Sequence, residues 1–183
     1  MSFVFIKDNF FEKDIFNIIL SESQNVPYTP PLNSLQKKSE FVWHRHVLPN
    51  KCELQEHVKK LIKKYFFYTV EEMLLSYYVV LDPTNSGFPH VDQKPITHHC
   101  LIYLKSQDKI NNGTGFYIKK DDKFILDTSV GFKPNRAVFW TSNIYHAPLH
   151  IEGDASKRYA LANFIGTNKS FQEELKNKKY ESV

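Results

Sequence analysis

The tripeptide His90-Val91-Asp92 holds the side chains of this sequence best placed to do chemistry. In an extended strand residues i and i+2 point to one face, so the imidazole of His90 and the carboxylate of Asp92 project side by side, with Val91 packed behind them. Such a pair supplies two of the three ligands of a two-histidine, one-carboxylate facial site, the donor set of non-haem Fe(II), which leaves three positions open on the metal. The third ligand must come from elsewhere, and His146 and His150 compete for the role. Pro148 between them, in β-branched and aromatic surroundings, argues against the helix on which both would face one metal. His146 follows the run Ala137-Val138-Phe139-Trp140 and the turn Thr141-Ser142-Asn143-Ile144, which sets it across a jelly roll from His90, and it is preferred; His150 reads as a surface or hydrogen-bonded histidine.

All but three of the 24 cationic side chains are lysines, so Arg45, Arg136 and Arg158 each need a reason. Guanidinium is a planar fork that grips a carboxylate at two points. Arg158 opens the run Arg158-Tyr159-Ala160-Leu161-Ala162, and Ala160 and Ala162 on its face leave room for a small dicarboxylate. Tyr103 is placed to donate its hydroxyl to the same carboxylate. Trp43 and Arg45 share one face of an early strand and are candidate substrate contacts, as is His99, which shares a face with Leu101 and Tyr103. His98 should point the other way, into outer packing.

Those residues need a scaffold, and 183 residues with 42% hydrophobic and 15% aromatic content suffice for one globular domain rich in strands. A net charge of +4 without an arginine-rich run gives no nucleic-acid signature. Cys52 and Cys100 lack a C-x-x-C pattern, so neither a disulfide framework nor a structural zinc site is expected. The apolar run at residues 1–6 is too short for a signal-peptide core, and no apolar stretch is long enough to span a membrane. The expectation is a soluble, cytoplasmic chain, its oligomeric state left open.

In chain order, residues 2–7 read as a strand and 10–21 as a helix capped by Asp8 or Asn9, with Phe11, Ile15, Ile18 and Ile19 on its packed face. A proline-rich loop covers 24–33, a strand 40–48, and an amphipathic helix 52–65 with Leu54, Val58, Leu61 and Ile62 inward. From residue 72 the period changes to two, and eight short strands follow at 73–81, 88–93, 97–104, 115–119, 124–128, 137–141, 147–152 and 158–165. The expected architecture is mainly β with N-terminal helices, a double-stranded β-helix or jelly roll: a prefix over about 1–70, a core over about 72–166 and a tail over 167–183.

His90-Val91-Asp92, Cys100-Leu101-Ile102-Tyr103-Leu104, Phe139-Trp140, His146 and Arg158-Tyr159-Ala160-Leu161, in that order, resemble the Fe(II)/2-oxoglutarate-dependent oxygenases, in particular their prolyl-hydroxylase-like branch. The resemblance implies that His90, Asp92 and His146 hold Fe(II), and that Arg158, helped by Tyr103, binds the far carboxylate of 2-oxoglutarate. It further implies that O2 is the second cosubstrate, and that a C–H bond is hydroxylated with release of succinate and CO2. An amino acid, free or in a protein and proline included, is favoured as substrate over a nucleobase. Two other classes compete: a cupin-like metal-binding jelly roll, which would not need Arg158 and Tyr103 to converge, and a non-catalytic binding module, which would need a broken ligand set.

Overall fold

A computed structural model of the chain describes residues 3–30, 43–81, 88–92, 94–106, 112–149 and 157–166. Strand β1 (Val4–Lys7), helix α1 (Lys13–Asn25), strand β2 (Trp43–Val47) and helix α2 (Glu53–Phe66) form the prefix. Seven strands follow: β3 (Glu72–Leu81), β4 (Ile96–Lys105), β5 (Thr114–Lys120), β6 (Lys123–Val130), β7 (Ala137–Thr141), β8 (Tyr145–Pro148) and β9 (Arg158–Gly166). They pair antiparallel into a six-stranded sheet of order β1-β7-β4-β9-β3-β2 and a three-stranded sheet of order β6-β5-β8. The jelly roll expected from the period-two pattern is therefore observed. No helix among the described residues is long and apolar enough to cross a membrane.

The large sheet is covered on both faces, which is why its strands read as near-continuous apolar runs. One face meets the helices: Tyr78 of β3, Cys100, Ile102 and Leu104 of β4, Phe139 of β7 and Leu161 of β9 pack with Ile19, Val58, Ile62 and Phe66. The alternate residues form a second cluster between the sheets, including Tyr77, Val79 and Leu81 of β3, Tyr103 of β4, Trp140 of β7 and Ala160 and Ala162 of β9. The functional candidates of these strands lie on this inner face.

Three expectations need correction. Residues 88–93 do not form a regular strand; among the described residues they contribute an isolated bridge between His90 and His146, with Gln93 outside the description. Asp8 and Asn9 do not cap α1. Asp8 accepts hydrogen bonds from Arg136 and Lys133, Asn9 has φ 52°, and the helix starts after Glu12 without a side-chain cap. Ile18 is 67% exposed, whereas Phe11, Ile15 and Ile19 pack into the core as expected, with Phe16 beside them. His150, the proline-rich stretch beyond residue 30 and the tail lie outside the described residues.

Candidate metal centre and cosubstrate pocket

Backbone pairing builds the end of the site where His90, Asp92 and His146 meet. His90 and His146 exchange hydrogen bonds, N to O at 3.1 and 2.9 Å, and the Asp92 N–H donates to the Ser142 carbonyl at 3.3 Å. These bonds tie the short segment to the start of β8, so the side chains converge without a regular strand beneath them. One ligand atom from each of His90, Asp92 and His146 lies within 4.8 Å of the others. Each imidazole also has Nδ1 3.0 Å from the carbonyl two residues earlier, Phe88 for His90 and Ile144 for His146. A carbonyl only accepts, so Nδ1 carries the proton and Nε2 presents its lone pair to the site.

Asp92 lies between two other rings, its Oδ2 2.7 Å from His99 Nε2 and 3.3 Å from His146 Nε2. The close contact with His99 is poorly aligned for a hydrogen bond, so this buried carboxylate oxygen keeps its bonding capacity. Burial pushes the Asp92 carboxyl up, but the contact and charge of His99, with the charges of His146 and His90, outweigh it and leave it below its ordinary value. Burial brings the His146 imidazole down to about 4 against the opposing pull of Asp92. An ionised carboxylate and a neutral imidazole are the forms that bind a divalent ion. The donor set and the unsatisfied Asp92 oxygen therefore fit such an ion. His99 is fixed by its neighbours, stacked on Trp140 at 5.0 Å and edge-on to Phe164 at 4.5 Å. His98, on the opposite face, stacks on Phe139 in the outer packing, as its parity requires.

A cavity of about 560 Å³ runs from these ligands to Arg158. Arg158 is 3% exposed, and its Nη1 donates to the backbone carbonyls of Asn112 (3.0 Å) and Gly113. Its Nε is buried without a hydrogen-bond partner, and no carboxylate among the described residues pairs with it. A guanidinium desolvated in this way needs an anion, so the carboxylate end of an acid fits here. Tyr103 lies beside it, the guanidinium 5.9 Å from its ring, but its hydroxyl donates to Thr114 Oγ1 at 2.8 Å. Thr114, which the sequence reading missed, lines the cavity. Its only signal was its position at the head of a strand, two residues before inward-facing Phe116.

Trp43, Arg45 and His99 also line the cavity, so all eight candidate residues lie in or beside one site. Arg136 is accounted for elsewhere, since its Nε donates to Asp8 Oδ1 at 2.6 Å and its Nη1 to the Gly131 carbonyl at 2.8 Å.

Similar architecture occurs in solved structures of known proteins. A prolyl-4-hydroxylase from Pseudomonas putida superposes with a TM-score of 0.66 at 12% identity, over 89% of this chain and 92% of that one. A Trichoplax adhaerens prolyl hydroxylase in complex with a hypoxia inducible factor peptide fragment gives a TM-score of 0.69 at 12% identity, over 91% and 84%. HygX from Streptomyces hygroscopicus, with nickel and 2-oxoglutarate bound, gives 0.67 at 10% identity, again over 91% and 84%. No protein-family model matches the chain, and no curated protein matches it by sequence. The jelly roll of the 2-oxoglutarate-Fe(II) oxygenases is therefore the fold of this chain, with a His-Asp-His group able to hold a metal.

Proposed function

We propose that this chain is a single-domain Fe(II)/2-oxoglutarate-dependent dioxygenase that hydroxylates an unactivated C–H bond of an amino acid, free or within a protein. The observation that supports this most is the pairing of two unsatisfied needs across one cavity: a His-Asp-His triad able to hold a metal at one end, and at the other a buried guanidinium that no carboxylate among the described residues answers. A metal-binding jelly roll without cosubstrate chemistry has no use for the second.

In this reading His90, Asp92 and His146 hold the metal through Nε2, a carboxylate oxygen and Nε2. Bound there, Fe(II) would supply the oxidising chemistry that couples 2-oxoglutarate and O2 to hydroxylation of the substrate C–H bond, with succinate and CO2 as coproducts. The chain's own residues bind and orient. Arg158 neutralises the far carboxylate of the cosubstrate, held in place by the 112 and 113 carbonyls, which take up its Nη1. Thr114 adds a hydroxyl whose orientation Tyr103 fixes from behind, so Tyr103 acts on the cosubstrate through Thr114. Trp140, Phe116 and Phe164 wall the metal end and keep it dry.

The test is anaerobic titration of the Fe(II)-loaded protein with 2-oxoglutarate, following the visible charge-transfer band. We expect the band in the wild type, its loss in His146→Ala, and at least a tenfold higher 2-oxoglutarate requirement in Arg158→Ala. Bound iron with no band at saturating cosubstrate would overturn the reading.

A further inference from the structure

The cavity has a second cationic group that neither the metal nor the cosubstrate uses. Strand β2 pairs with β3 in the register Trp43 to Leu81, Arg45 to Val79 and Val47 to Tyr77. Trp43 and Arg45 therefore share the inner face with Tyr77, Val79 and Leu81 and line the same cavity as the triad and Arg158. The Tyr77 ring lies parallel to Trp43 at 5.9 Å and has the Arg45 guanidinium 5.8 Å from its centre. The Arg45 backbone is fixed independently, its N–H and carbonyl both bonded to Thr29 at 2.8 and 2.9 Å. A rigid aromatic floor and a pinned backbone thus aim a guanidinium at the cavity.

Nothing among the described residues answers that charge. No acidic side chain among the described residues pairs with Arg45, and its side chain makes no hydrogen bond there; its guanidinium lies over the Tyr77 ring. Arg136 has Asp8, and Arg158 has two carbonyls and the cosubstrate site, so of the three arginines this one alone faces the cavity unassigned. Space is also left over. The ten heavy atoms of 2-oxoglutarate, each given the ~30 Å³ a liquid water takes up, fill at most about 300 Å³. That is near half of the 560 Å³ present.

We infer that Arg45, seated on Tyr77 beside Trp43, is a specificity residue that binds a carboxylate of the substrate, so that this site takes a carboxylic acid. The inference rests on the dioxygenase reading and narrows it. A guanidinium on an aromatic face is weakly hydrated and keeps its bidentate edge free, which suits a carboxylate better than any neutral group. A residue inside a polypeptide brings no such group unless it is Asp or Glu. The carboxylate is therefore the α-carboxylate of a free amino acid, the C-terminus of a chain, or an acidic side chain.

The experiment uses the full chain loaded anaerobically with Fe(II) and 2-oxoglutarate. Calorimetric binding is measured for the twenty free amino acids, the same twenty as C-terminal carboxamides, and short peptides with either a free C-terminus or a capped one with an internal Glu. We expect at least one carboxylate-bearing probe to bind, and the type that binds identifies the source of the carboxylate. Removing that carboxylate should weaken binding about 30-fold or more, the scale on which a desolvated charge pair acts. Arg45→Gln should weaken the acid to the same degree and leave its carboxamide unchanged, while Arg45→Lys, which keeps the charge but not the fork, should fall between. Equal binding of acid and carboxamide, no binding by any carboxylate-bearing probe, or an Arg45→Gln protein that loses affinity for 2-oxoglutarate instead would each overturn the inference. The charge-transfer band separates the two levels: a band without acid selectivity rejects Arg45 alone, and absence of the band in the wild type rejects the dioxygenase reading beneath it.

Discussion

His99 stands closer to Asp92 than either histidine of the triad, at 2.7 Å, and is held there by Trp140 and Phe164. Its ring limits how the carboxylate can turn, so we expect His99→Ala to weaken Fe(II) binding about 10- to 100-fold in a chelator competition, the range for residues supporting metal ligands. Unchanged iron affinity would remove this role. His146 makes a second prediction, in the metal-free protein. Its imidazole is depressed from 6.5 to about 4 by burial, so between those values the unfolded chain holds a proton that the folded chain does not. Stability contributed by neutral His146 is complete above about 6.5 and falls on acidification towards 4, by on the order of 2–3 kcal/mol. Urea unfolding at pH 7 and pH 4.5 should show that loss in the wild type and a smaller one in His146→Gln. The triad was legible because His-x-Asp and a distal histidine are recognisable by residue type. The Tyr103–Thr114 bond was not, because it depends on which of two carbonyl or hydroxyl neighbours a phenol meets after folding.

The elements divide the labour by position in the sheet. Strands β4, β7 and β9 carry His99, Trp140 and Arg158 at its centre, and the antiparallel register brings Tyr103 opposite Ala160. The N-terminal segment is bound to this frame by Asp8, which accepts from Arg136 and Lys133, and by Asn135, whose side chain bonds the Phe11 N–H and carbonyl. The Arg136 hydrogen bond brings the Asp8 carboxyl from 3.8 down to about 2, so the stability it contributes is present above 3.8 and lost as pH falls through 2. Because Asp8 is about a third exposed, solvent screening limits the effect, and Asp8→Asn should cost about 0.5–1 kcal/mol at pH 7 and nearly nothing at pH 2 in thermal unfolding. The sequence signalled a cap here, since Asp8 precedes an apolar helix. It could not signal that two cations 125 and 128 residues away compete for the same carboxylate and win.

At the scale of the whole molecule, two sheets enclose the cavity and two helices cover the outer face of the larger one. That plan was readable from the change of hydrophobic period at residue 72, because strands buried on both faces and an amphipathic helix leave different signatures. Which of two adjacent tyrosines looks inward was not readable: Tyr77 meets the cavity and Tyr78 donates to Glu22 under the helices, and nothing local distinguishes them. Parity there is set by pairing with β2 and β9, over long sequence distances. One arrangement has a consequence for how such a protein can diversify. Arg158, Tyr103 and Thr114 belong to β9, β4 and β5, each paired on both sides, whereas Trp43 and Arg45 belong to β2, the outermost strand of its sheet, with β3 alone beside it there. Substitutions on that strand disturb one neighbour instead of two, so the cavity wall that carries Arg45 can change while the strands around Arg158 stay as they are.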